Sequence, residues 1–236
     1  MLIRAYLPHF LTALFGGLFV AAGIFTFGNA LVFDRLFLGV IIFTAILCRR
    51  DINIVAALAI ILLQHLFEEL AWLYIPAYDI VNIPIYLAGL LVSYYFWYDW
   101  VSKILLANSI LAIIAELFWY LTEYSAPSIA WYLGLMIVCI FVRHFIFNRV
   151  SYVDMYFPEK GRSINLDWIL YKINAFLVIT QTIIFLEYFV RHILGYSNAL
   201  LAYNYSAYII HGLSTLIIWA AFSESYKQLI PKQLKA

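Results

Sequence analysis

Long apolar blocks broken by short polar stretches run the length of the chain. A helix needs about 20 mostly apolar residues to cross the hydrocarbon core of a bilayer. Eight blocks approach or exceed that length and predict eight spanning helices: Pro8–Phe27, Leu31–Cys48, Ile52–Leu73, Ile80–Tyr98, Ile104–Leu121, Ile129–Phe147, Asp167–Ile193 and Tyr203–Phe222. The second block carries Asp34 and Arg35 near its start, and the seventh is long enough to tilt. One connection, Asn148–Leu166, stands out as long, yet it is too short for a domain.

Composition turns eight helices into a membrane protein. The chain has 236 residues, 66% of them hydrophobic and only 11% charged, against about 25% charged in a soluble domain. Its mean hydropathy is +0.94. A soluble fold of this size could not hide so much apolar surface, and a disordered chain would be far more polar. The expectation is an all-α, polytopic integral membrane helix bundle, one transmembrane domain over residues 1–236 with no soluble domain. A net charge of +1 without a long basic run gives no footprint for nucleic acid. Cys48 and Cys139 both fall in apolar blocks, which argues against a disulfide framework. No A-x-A site follows the first block, so it reads as an uncleaved span.

Charge then orients the bundle, because Lys and Arg concentrate on the cytoplasmic side. Arg4, Arg49, Arg50, Lys103, Arg149, Lys160, Arg162, Lys227, Lys232 and Lys235 map to one side, with Arg143 and Lys172 at helix ends nearest it. Only Arg35 and Arg191 map to the other. That split predicts an even number of crossings, both termini cytoplasmic, in a bacterial-type inner membrane. Trp97, Trp100, Trp168 and Trp219 then mark the inner interface, and Trp72, Trp119 and Trp131 the outer one.

Against so little charge, acids inside the blocks stand out, since each needs a partner or a wet cavity. The third, fifth and seventh helices all run outward, and their outer parts carry Glu68 and Glu69, Glu116, and Glu187. His65 shares a helix face with Glu68 and Glu69. Glu187 and Arg191 have the i, i+4 spacing of an ion pair. The eighth helix adds a polar stripe of Asn204, Tyr208, His211 and Thr215. Together they predict an outward-facing polar pocket for an ion or substrate, lined by His65, Glu68, Glu69, Glu116, Glu187, Arg191, Tyr208 and His211. The competing reading is an interhelical salt-bridge and hydrogen-bond network. A second polar line, Asn174, Thr180, Gln181 and Thr182 with Asn108 and Ser109, reads first as glue between helices. Gly16, Gly17, Gly23 and Gly28 read as small-residue packing surfaces.

Two echoes run through the chain. Glu69-Leu70-Ala71-Trp72 matches Glu116-Leu117-Phe118-Trp119, as a helical-hairpin repeat would, and Phe141-Val142-Arg143-His144 matches Phe189-Val190-Arg191-His192. The second pair ends on opposite faces of the membrane and reads as coincidence.

The lead expectation is binding or translocation of a proton, cation or small polar solute, with Glu69, Glu116 and Glu187 as its carboxylates. An intramembrane enzyme, metal-dependent or acting on a lipid or isoprenoid substrate, is the alternative. His65, Glu69 and His211 are its candidate metal ligands; no other cofactor is expected. No phosphate-binding glycine loop is present. The adjacent Glu68-Glu69 is shared with the CAAX-protease-like family, but Leu73 stands where that pattern needs arginine. Ser214 lies beside His211 without the glycine of a nucleophile turn. A third role is a sensor, anchor or assembly subunit. Partners would then be the bilayer, a second copy, or a soluble cytoplasmic protein docked on the 148–166 loop and the Lys227–Lys235 tail.

Overall fold

The computed structural model describes residues 2–75, 81–125 and 128–233, except for the side chains of 2–9, 11, 12, 30, 72 and 228–233. Lys235 and the side chains of Arg4, Trp72 and Lys232 fall outside the described residues. Among these residues the chain folds into helices α1 (Leu2–Phe25), α2 (Ala30–Leu47), α3 (Ile52–Tyr74), α4 (Asn82–Tyr95), α5 (Trp100–Thr122), α6 (Ala130–Tyr156), α7 (Asn165–His192) and α8 (Leu201–Gln233), with no strand. Each predicted block falls on one helix.

Among the described residues, five helical stretches are long and apolar enough to cross a membrane: Ile52–Ala71, Trp100–Thr122, Ala130–Tyr156, Asn165–His192 and Leu201–Lys227. They fit an integral membrane protein. The apolar outer faces agree, as on α4, where Ile83, Leu87, Leu91 and Tyr94 are all exposed. The 14 residues of α4 give about 21 Å of helix, short of the roughly 30 Å hydrocarbon core.

α8 runs to Gln233, 11 residues past Phe222, and α6 also overruns its block. The apolar run of α6 ends near Phe147, but the helix continues to Tyr156, so the long connection shrinks to residues 157–164. The polar residues that seem to end the span are internally satisfied and leave the helix intact.

The chain divides into two compact units. The first comprises residues 1–62, 145–173 and 210–236. Here α1 meets α8 through glycine. A Cβ on Gly16 would stand 2.6 Å from the Trp219 ring, and one on Gly23 would stand 2.8 Å from Thr215 Oγ1. His211 Nε2 lies 2.5 Å from the Gly23 carbonyl oxygen. The two glycines thus let α8 approach α1 closely, as small residues do at helix interfaces. Gly17 and Gly28 have open space around them, and Gly28 turns the chain with φ +89°.

The same unit fastens the α6–α7 connection. The Arg149 guanidinium is 1% exposed and grips the Asp167 carboxylate with two bonds of 2.6 and 2.7 Å. It also donates to Asn53 Oδ1 at 3.0 Å and the Arg162 carbonyl at 2.6 Å. Asn53 donates to the Lys160 carbonyl and accepts from the Arg162 amide. Arg162 pairs with buried Asp51. Asp167 Oδ2 accepts from the Ile164 amide, capping α7.

The second unit comprises residues 63–144 and 174–209. α4 and α5 pack closely, with Gly89 against Ser109; any side chain at Gly89 would run into the serine hydroxyl. Val101, Ser102, Leu105, Asn108, Ser109, Ala112, Ala115 and Trp119 form the buried face of α5. Small and polar residues dominate that face, although large apolar ones would pack more simply. The candidate site lies along it.

Candidate functional site

The polar face begins before the first turn of α5. Asp99 caps the helix, its Oδ1 accepting from the Val101 amide at 3.2 Å. The same carboxylate takes two bonds from the Arg143 guanidinium of α6, 2.7 Å from Nε and 2.8 Å from Nη2. Both groups are buried, at 1% and 6% exposure. The fork geometry that arginine offers a carboxylate is used in full. Beside the pair, Tyr98 Oη lies 2.7 Å from His144 Nδ1.

Two turns on, Asn108 Nδ2 donates to Thr182 Oγ1 at 2.8 Å and approaches Met136 Sδ at 3.3 Å. This tie joins α5 to α7 and matches the expected glue. Its neighbours differ. The hydroxyls of Ser102 and Ser109 and the Gln181 amide oxygen are buried and have no hydrogen-bond partner among the described residues. Buried polar atoms are nearly always satisfied, so these three stand out.

Near the far end, roughly 25 Å from Asp99 along the helix axis, stands Glu116. Tyr86 of α4 donates its hydroxyl to Glu116 Oε1 at 2.5 Å. One turn further, Trp119 packs edge-on against Tyr188 with centroids 5.8 Å apart, and stacks on Phe189. The Trp119 ring is buried, because α7 covers it. Trp97 and Trp168 are exposed, each with a lysine ammonium over its ring, Lys103 and Lys172 respectively.

The predicted Glu187–Arg191 ion pair takes another form. Glu187 accepts from the Ala202 amide at 2.8 Å and the Tyr203 amide at 2.6 Å, the unsatisfied donors of the first turn of α8. A carboxylate there also meets the positive end of the helix dipole. Arg191 instead lies over two rings, 5.8 Å from the Tyr188 centroid and 5.4 Å from that of Tyr203. Beside it, Tyr124 Oη lies 3.0 Å from His192 Nδ1, and the Tyr188 and His192 rings are 4.2 Å apart.

The other predicted site residues distribute as follows. Glu68 is half-buried and accepts from Gln64 Nε2 at 2.8 Å on the same helix, α3. His65 is half-buried and Glu69 exposed. Tyr208 is exposed on α8, its ring tilted against that of Tyr205 with centroids 6.2 Å apart. His211 belongs to the first unit, where its ring sits 4.0 Å from that of Phe33 and 5.1 Å from that of Phe27. Glu116, Glu187 and Arg191 thus gather around Tyr86, Tyr188 and Tyr203, while Glu116 and Glu187 keep separate hydrogen-bond partners.

Sequence reasoning missed Asp99, Arg143, Arg149 and Asp167 as interacting groups, having placed the two arginines by charge alone. One signal was available: Asp99 and Arg143 each border an aromatic segment, where a charge is rare. The chain matches no known family model, no curated protein and no solved structure.

Proposed function

We propose that the chain is an eight-span protein of a bacterial-type inner membrane, both ends cytoplasmic, that binds or translocates a proton, cation or small polar solute. The route is the buried face of α5. The observation that carries this reading is the line running from the Asp99–Arg143 pair through Ser102, Asn108 and Ser109 to the Glu116–Tyr86 hydrogen bond. It covers most of a hydrocarbon core, and polar side chains sealed inside a bundle are expensive to keep there without a task. Among the three solutes a proton suits the geometry best. A carboxylate bonded to a phenol can release and accept a proton without large motion, and the unpartnered serine and glutamine oxygens can hold water between the ends. The 12-to-2 division of basic residues supports the orientation, with Glu116 toward the outer face.

The test is flux in proteoliposomes containing the full chain, driven in turn by a proton, sodium or potassium gradient. Glu116→Gln is expected to abolish the flux, and Tyr86→Phe to slow it. Glu69→Gln, altering an exposed acid, is expected to slow it least. Unchanged flux in Glu116→Gln, Glu69→Gln and Glu187→Gln alike would sink the reading.

A further inference from the structure

The same tetrapeptide, Phe-Val-Arg-His, occurs at 141–144 and 189–192, and its two arginines have different surroundings. Arg143 is neutralised by Asp99. Arg191 lies between the rings of Tyr188 and Tyr203, its buried Nε has no hydrogen-bond partner among the described residues, and the nearby acid, Glu187, is engaged by two backbone amides of α8. A second donor touches the same tyrosine. Trp119 is 5% exposed, packs on Tyr188, and its Nε1–H likewise has no acceptor. Arginine and indole N–H groups donate and cannot accept. The cluster therefore presents two donors, one of them cationic, and lacks the acceptor that completes the equivalent arginine on α6.

From this pairing of donors we infer that Arg191 and Trp119, framed by Tyr188 and Tyr203, form a binding site for an oxyanion of the phosphate class. The guanidinium supplies charge and directional N–H groups, the form in which arginine recognises phosphate. The tyrosine rings hold it by cation–π contact, which takes up none of its N–H groups. Arg191 stands in the last turn of α7, a helix of about 42 Å that reaches beyond the hydrocarbon core to headgroup depth. The oxyanion is either a phospholipid headgroup or a phosphate free in solution. The inference does not depend on the route along α5.

Binding to the full chain separates the sources. Retained lipid is counted by native mass spectrometry after reconstitution in phosphatidylglycerol or in phosphatidylcholine. Inorganic phosphate is titrated by calorimetry onto delipidated protein in detergent. Arg191→Gln is expected to weaken binding by roughly tenfold or more, as loss of a charge-assisted bond would. Trp119→Phe, which keeps the ring and removes only the N–H, is expected to weaken it several-fold, and circular dichroism checks that both variants fold. Selective retention of phosphatidylglycerol supports a lipid source, and saturable phosphate binding supports a soluble one. Wild-type binding in both variants, or no binding to either probe, overturns the inference.

Discussion

The two ends of α5 use similar residues differently. At one end a histidine meets Tyr98 and an arginine meets Asp99. At the other a histidine meets Tyr124, but among the described residues the arginine lies over aromatic rings. The histidine–tyrosine contact is common to both, and the carboxylate is the difference. A buried arginine with a bidentate acid is a finished structural element. An arginine on tyrosine faces, with an idle donor, is a finished scaffold around an unfinished interaction. The acid nearest in sequence could have completed it, but Glu187 serves the start of α8, where two amides and the helix dipole hold it.

The largest effect should come from breaking the finished end. Removing one member of a buried ion pair strands the other and typically costs about 3–5 kcal/mol. Arg143→Met or Asp99→Leu alone should therefore lower thermal stability sharply in detergent. The double variant should recover much of the loss, because an apolar pair of similar volume can replace a buried salt bridge. Arg191→Met should cost far less, on the order of 1 kcal/mol, the worth of its cation–π contacts. Equal losses for Arg143→Met and Arg191→Met would erase the distinction between the ends.

Glu187 sharpens the comparison at an intermediate scale. Glu187→Ala removes the cap from α8 and should cost about 0.5–2 kcal/mol, the range for lost N-caps. Hydrogen exchange should report it locally, with faster exchange at the Ala202 and Tyr203 amides. An ion pair with Arg191 would predict that Arg191→Met speeds those amides too; the observed geometry predicts that it leaves them protected.

How much of this was legible beforehand follows from what hydropathy measures. It located the eight helices of the described residues, although only five of them hold a stretch long and apolar enough to cross a bilayer. It misplaced the end of α6 by nine residues, since Arg149 looks like an interfacial charge until Asn53 and Asp167 are seen to surround it. Glu116 was legible as an acid inside an apolar block, and it is half-buried, but its partner Tyr86 was not, because helix neighbours are not written in periodicity. The spacing of Glu187 and Arg191 was read correctly and its consequence was not: a backbone from another helix competed for the carboxylate. The glycines of α1 were legible as packing residues, and Gly16 and Gly23 pack, because small residues admit a close neighbour wherever one arrives.

The smallest effect tests whether the repeated tetrapeptide is more than coincidence. Its two copies were expected to be unrelated, yet His144 and His192 both use Nδ1 against a tyrosine flanking α5. If the contacts are equivalent, Tyr98→Phe and Tyr124→Phe should each cost about 0.5–1.5 kcal/mol, the net worth of one hydrogen bond. The two melting shifts should then match, although the arginines beside them differ by several kcal/mol in what their loss costs. A large loss for Tyr98→Phe with none for Tyr124→Phe would show that the histidine contact draws its strength from the adjacent ion pair. The likeness of the two ends would then reduce to sequence alone.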